Sequence, residues 1–134
     1  MNENRVLTID NLTTVFKSHK QKIQAVRGVS LYVDEGDILA IVGESGSGKS
    51  VTMKSVMGLL GENAEIQADH LEVLKKDLLS MSEKEKEKMR GKDMAMIFQD
   101  PMTALNPLKK IGSHMTEVLC RHQKLSKKEA RKVA

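Results

Sequence analysis

The sequence predicts an α/β fold: an antiparallel β-subdomain at the N-terminus, a mostly parallel core after it, and a helical segment that has only started where the chain stops. Three observations predict it. Residues 6–33 hold short β-rich stretches bounded by polar or turn residues. Residues 38–42 and 94–98 are continuous apolar runs, the pattern of strands buried on both faces. A glycine-rich loop and a helical pattern follow directly on the first of those runs.

Taken in order, Val6, Leu7 and Ile9, then Leu12 to Phe16, then Val29-Ser-Leu-Tyr-Val33 read as strands of an antiparallel meander. Asp34-Glu-Gly-Asp37 supplies turn chemistry, with Gly36 free to take positive φ, so a hairpin into Ile38-Leu-Ala-Ile-Val42 is expected. After the glycines, Val51, Val56, Leu59 and Leu60 mark a helix over residues 49–60 that Gly61 closes. One short strand is expected near residues 71–74. Ser82-Glu-Lys-Glu85 has the form of a capping box and Gly91 follows, which predicts a short charged helix over 83–90. Met94-Ala-Met-Ile-Phe98 is the second buried strand, ended by Gln99-Asp-Pro101. Beyond the turn at Asn106-Pro107, Met115, Val118, Leu119 and His122 lie at helical spacing, and Ser126-Lys-Lys-Glu129 opens a further helix.

A chain of 134 residues holds one domain or part of one. With 40% hydrophobic and 30% charged residues it is globular rather than disordered. Phe16, Tyr32 and Phe98 are its only aromatics, so no stacking platform for single-stranded nucleic acid exists and no nucleic-acid partner is expected. Of the 22 Lys and Arg, eight fall in residues 101–134, against two of the 18 Asp and Glu. That basic tail can meet nucleic acid or anionic lipid, but Lys127, Lys128, Arg131 and Lys132 read more simply as a solvated helix face. Cys120 is the single cysteine, which excludes an internal disulfide and fits a reducing compartment. No run of about 18 apolar residues is present, so a membrane is expected to be reached through a partner. His19, His70, His114 and His122 show no metal-ligand spacing.

Gly43-Glu-Ser-Gly-Ser-Gly-Lys-Ser50 fits Gly-x-x-x-x-Gly-Lys-Ser at every fixed position, between an apolar run and a helix. Glycines at 43, 46 and 48 let the backbone wrap so that successive N–H groups point into one concavity, and the following helix adds its positive end. Glu44, Ser45 and Ser47 complete the loop that would hold phosphates, and Ser50 and Val51 open the helix behind it. Lys49 reaches the β- and γ-phosphates, and Ser50 offers its hydroxyl to Mg²⁺.

At this point the chain resembles the ATP-binding subunits of ABC transporters, within them the group serving dipeptide, oligopeptide and nickel importers. The likeness rests on Ala25-Val-Arg-Gly-Val-Ser30, on Ile41-Val-Gly-Glu-Ser-Gly-Ser-Gly-Lys-Ser-Val-Thr52, and on Met96-Ile-Phe-Gln-Asp-Pro-Met-Thr-Ala-Leu-Asn-Pro107. It implies a P-loop NTPase core of the ABC ATPase type, incomplete at the C-terminus: residues 1–37 mainly β-subdomain, 38–100 nucleotide-binding core, 101–134 the start of a helical subdomain. ATP and Mg²⁺ are the implied cofactors. Gln99 would be the Q-loop glutamine that contacts Mg²⁺ and the attacking water, and Phe16 would stack on adenine with Val26 beside the base. The implied partners are a second ATP-binding subunit in a head-to-tail dimer, transmembrane permease subunits and, indirectly, a substrate-binding protein, at the cytoplasmic face of the cell membrane.

Other readings stand beside these. Phe16 also reads as a core residue of a small sheet, and Gln99 as a strand-end cap. The same loop serves small kinases and GTPases, though a guanine-reading Asn-Lys-x-Asp is absent from the sequence. The family's Leu-Ser-Gly-Gly-Gln signature, its Walker B aspartate with catalytic glutamate and its switch histidine lie downstream of residue 134. These residues alone are therefore expected to hydrolyse ATP very slowly, if they turn it over at all, and to associate with one another.

Overall fold

The computed structural model describes residues 4–18, 21–100 and 105–134. His19 and residues 101–104 of the family-like segment lie outside them. The chain divides into two compact units, residues 1–86 and 87–134.

In the first unit, β1 (Arg5–Lys17) and β2 (Lys22–Asp34) form one long antiparallel pair, with Thr14 opposite Val26 and Phe16 opposite Ile23. The other edge of β1 is shared. There β3 (Ala64–Gln67) pairs with Thr13 to Phe16, while β4 (His70–Val73) pairs with Leu7 to Asp10 and carries β5 (Lys76–Asp77) outside it. Every one of these pairings is antiparallel.

The polar pair Asp10-Asn11 separates two expected strands in the sequence, but in the structure it is a bulge inside β1. Asn11 takes φ 51°, a left-handed conformation that Asn tolerates, and the register shifts between Ile9 and Leu12. The extra residue lets Ile9 and Leu12, three positions apart, both be buried. Within the bulge the amide of Asn11 donates to Ser30 Oγ at 2.9 Å, and the Ser30 hydroxyl donates to Asp10 Oδ1 at 2.9 Å. Opposite it, Gly28 has φ 71°, and a Cβ there would stand 3.0 Å from Asn11 Oδ1.

The turn after β2 forms as expected, with Asp37 N–H donating to the Asp34 carbonyl at 3.1 Å and Gly36 at φ 86°. The hairpin does not. Residues 38–42 are not a strand, and Ile38 and Val42 are 98% and 88% exposed. Residues 94–98 are not a strand either: Met94 makes an isolated bridge to Arg90, and Ile97 is 95% exposed. A strand exists only through its lateral hydrogen bonds, and a run apolar on both faces needs neighbours on both edges. Among the described residues no strand pairs with either run.

Helix α1 (Lys49–Met57) lies against β1 and β2. It ends one turn earlier than the apolar spacing predicts, because Gly58 rather than Gly61 takes the left-handed conformation, φ 62°. Gly58 N–H then donates to the Ser55 carbonyl and Leu59 N–H to the Lys54 carbonyl, satisfying the helix end. Val56 and Met57 of α1 are buried, as are Ile9, Leu12, Val26, Leu71, Val73 and Leu78, and they form the core of this unit. Each such side chain contributes about 1.5–3 kcal/mol when fully buried.

Helix α2 (Glu83–Met89) starts where expected: the Ser82 amide and hydroxyl both donate to Glu85 Oε2, at 2.8 and 2.7 Å. In the second unit, α3 (Ile111–Gln123) is followed by α4 (Lys127–Val133). The capping box of α4 is complete. Glu129 N–H donates to Ser126 Oγ at 3.3 Å, and the Ser126 amide donates back to Glu129 Oε2 at 2.9 Å. Ion pairs Lys109 to Glu117 and Arg121 to Glu87 tie this unit internally.

Candidate nucleotide site

The glycine-rich loop enters α1 through two left-handed glycines, Gly46 at φ 81° and Gly48 at φ 95°. Gly48 is the N-cap, with no side chain to cover the helix end, and no acidic residue sits in the first turn. The first intrahelical bond in the chain runs from Thr52 N–H to the Gly48 carbonyl at 2.8 Å. The N–H groups of Lys49, Ser50 and Val51 thus have no intrahelical acceptor, and together with the helix dipole they favour an anion.

One of the glycines is required by close approach to backbone. A Cβ on Gly48 would stand 2.7 Å from the Ala25 carbonyl oxygen of β2, whereas one on Gly43 would stand 2.8 Å from Ser47 Oγ, a side-chain atom that can turn away. Nothing lies within 4 Å of a Cβ on Gly46, so that position needs glycine for its φ alone.

The Lys49 ammonium folds back on the loop. It donates to the carbonyls of Gly43 and Glu44, both at 2.7 Å, and to Ser47 Oγ at 3.2 Å. A cation is therefore already held on the loop, by two backbone carbonyls and one hydroxyl oxygen. Ser45 and Ser50 are exposed, as is the side of the loop formed by Gly46 and Ser47. A single hydroxyl beside phosphate oxygens and water is the donor set that suits Mg²⁺, so Ser50 fits that ion.

Val26 is brought to the loop: it is 3% exposed, and its Cγ2 would be 3.8 Å from a Cβ on Gly48. Phe16 is half-buried two residues beyond Thr14 on β1, in the same unit as the loop. Gln99 belongs to the second unit, in exposed irregular backbone. Sequence reasoning missed three residues that hold the loop in place. Ala25 presents its carbonyl to Gly48, and the buried hydroxyls of Thr14 and Ser55 meet at 2.9 Å.

Of the histidines, His114 Nε2 lies 3.3 Å from the Asn106 carbonyl and His122 packs on Gly91. Among the described residues no group of three or more His, Cys, Asp or Glu could hold a metal ion, and no helix is long and apolar enough to cross a membrane.

Residues 26–134 match the family model described as ABC transporter. The oligopeptide transport ATP-binding protein OppD of Bacillus subtilis is 47% identical over 136 residues, covering 97% of this chain and 37% of the relative. The dipeptide transport ATP-binding protein DppD of the same organism is 50% identical over 129 residues, covering 96% of this chain and 38% of the relative. The glutathione import ATP-binding protein GsiA of Shigella flexneri is 44% identical over 131 residues, covering 93% of this chain and 21% of the relative. The chain thus spans less than two-fifths of the length of each of these relatives.

Proposed function

This chain belongs to the ABC transporter family, and on that premise we propose that it is the nucleotide-binding part of a subunit that couples ATP binding and hydrolysis to peptide uptake. The observation that carries the reading is the loop itself: N–H groups without an intrahelical acceptor at the start of α1, a side-chain-free N-cap and the Lys49 ammonium held on the loop all fall within residues 43–51. Triphosphate is the anion whose charge and length suit it. The backbone of residues 43–48 and the amides of Lys49, Ser50 and Val51 would receive the phosphates, and Ser50 would hold Mg²⁺. Bound Mg²⁺ neutralises charge on the β- and γ-phosphates. Gln99 would complete the ion's surroundings, and Phe16, with Val26 behind it, would take the adenine.

The permease, a second ATP-binding subunit and a substrate-binding protein are the proposed partners, and the cytoplasmic face of the membrane is the proposed place. Dipeptides and oligopeptides are favoured over nickel as cargo because the relatives reported above are named for oligopeptide, dipeptide and glutathione transport, and glutathione is itself a tripeptide. Phosphate release by the 134 residues alone should stay near background, since Glu44 is the one carboxylate that the loop offers as a base for water.

The test is calorimetric titration of the chain with MgATP. Lys49→Ala should weaken binding at least about tenfold, the loss of a strong charge-assisted contact. Unchanged affinity would remove the phosphate-loop assignment. Labelled dipeptide and nickel uptake, measured in cells carrying wild type or Lys49→Ala, decides the cargo.

A further inference from the structure

Beside its packing in the core, helix α1 is fastened to the sheet at and next to one rung of the β1–β2 ladder. Thr14 and Val26 are register partners across that rung. On the β1 side, Thr14 Oγ1 lies 2.9 Å from Ser55 Oγ, with Thr14 wholly buried and Ser55 3% exposed. The Ser55 hydroxyl donates to the Val51 carbonyl at 2.8 Å. Its one proton is committed there, so Thr14 must be the donor of the first bond. A two-bond chain thus runs from β1 through Ser55 to Val51, which lies in the first turn of α1. On the β2 side, the Ala25 carbonyl and Val26 close on Gly48, the last residue of the loop. The β2 fastening acts at Gly48, beside the phosphate-binding amides, and the β1 fastening acts one turn further along the helix, at Ser55, which is bonded back to Val51.

The same strand carries Phe16. Residues two apart on a strand share a face and stand about 7 Å apart, so Thr14 places the phosphate loop and Phe16 on one stretch of β1. We propose that Thr14 and Ser55 are positioning residues that hold the phosphate loop in register with Phe16, so that the base and the triphosphate of one ATP are gripped together. The proposal rests on the nucleotide reading given above. It assigns no contact between either hydroxyl and the ligand. Their effect is confined to ligands that span both ends of the site, because a ligand made of phosphate alone does not depend on where Phe16 stands.

The test compares MgATP with magnesium inorganic triphosphate, titrated into the full 134-residue chain. Wild type should prefer MgATP. Thr14→Val keeps the shape and removes the donor, and it should lower MgATP affinity about fivefold, the worth of one intramolecular hydrogen bond, while triphosphate affinity changes less than about twofold. Thr14→Ser restores the hydroxyl and should restore the preference. Circular dichroism of each variant establishes that it is folded. An equal loss for both ligands in Thr14→Val, or no loss for either, overturns the proposal. So does wild-type binding with no preference for MgATP. Phe16→Ala separates the remaining failures. If it keeps the preference, the proposal falls together with the adenine role of Phe16, while loss of both ligands in Lys49→Ala leaves the phosphate loop standing. If it abolishes the preference and Thr14→Val does not, the proposal alone falls.

Discussion

The ammonium of Lys49 donates to the carbonyl oxygen of Gly43 at 2.7 Å, bridging the two ends of the loop that it belongs to. The same nitrogen reaches the Glu44 carbonyl and Ser47 Oγ, so a compact ammonium with three donors satisfies three acceptors at once. An arginine cannot do this, since its planar fork spreads its donors and is larger than the ring of acceptors. Lys49→Arg is therefore expected to keep the charge and still lose MgATP binding to about the level of Lys49→Ala. Titration calorimetry on the two variants checks this, and near-wild-type affinity in Lys49→Arg would show that charge alone is what the position requires.

The glycines separate two causes of the same sequence preference. Gly48 has φ 95° and a carbonyl 2.7 Å from its would-be Cβ, whereas Gly46 has φ 81° and open space. Gly46→Ala should cost about 1–2 kcal/mol, the left-handed penalty alone. Gly48→Ala must also push β2 away from the loop. Its thermal midpoint should fall below that of Gly46→Ala by about 4 °C or more, and equal midpoints would contradict the contact between Gly48 and Ala25.

These cases mark what was legible in the sequence. The loop could be read because its function depends on local backbone geometry, which glycine spacing encodes directly. The caps at Ser82 and Ser126 were legible for the same reason, each closing within four residues. The apolar runs at 38–42 and 94–98 report only that both faces could be buried, and lateral pairing with distant strands is not a local property. Asp10-Asn11 has turn chemistry, and whether that makes a turn or a bulge depends on Ser30 and Gly28 across the ladder. Thr14 and Ser55 are 41 positions apart and carry no motif. Gly58 and Gly61 both suit a helix end, and helical spacing alone does not choose between them.

The start of α4 makes a prediction about pH. Hydrogen bonds from the Ser126 hydroxyl and then the Ser126 amide hold the Glu129 carboxyl below its ordinary value. A group whose folded pKa is lowered adds stability that is complete above its unfolded pKa, about 4.3 for Glu. That stability is lost as the pH falls from there through the lowered folded value. Amide protection in α4, taken relative to the intrinsic exchange rate at each pH, should therefore be constant at neutral pH and fall as the pH drops through that window. In Ser126→Ala the Glu129 titration, followed by NMR, should move up toward the ordinary glutamate range. A titration left where it was would show that the capping box does not set it.

Exposed apolar surface makes the last prediction, and the two units can be tested apart. Ile38 and Val42 in the first unit, and Ile97 and Leu108 in the second, are large aliphatic side chains left almost fully in water. Burying such surface contributes about 25 cal/mol per Å², so contact between copies is favoured. The backbone of residues 38–42 makes no ladder, which leaves its N–H and C=O groups open to pairing with another chain. In gel filtration with light scattering the chain should run above monomer mass, increasingly so with concentration. Ile38→Lys should shift the distribution toward monomer if the first run is the contact, and Ile97→Lys if the second is. A monomer of unchanged mass across the whole concentration range would overturn the expectation that these side chains meet between copies.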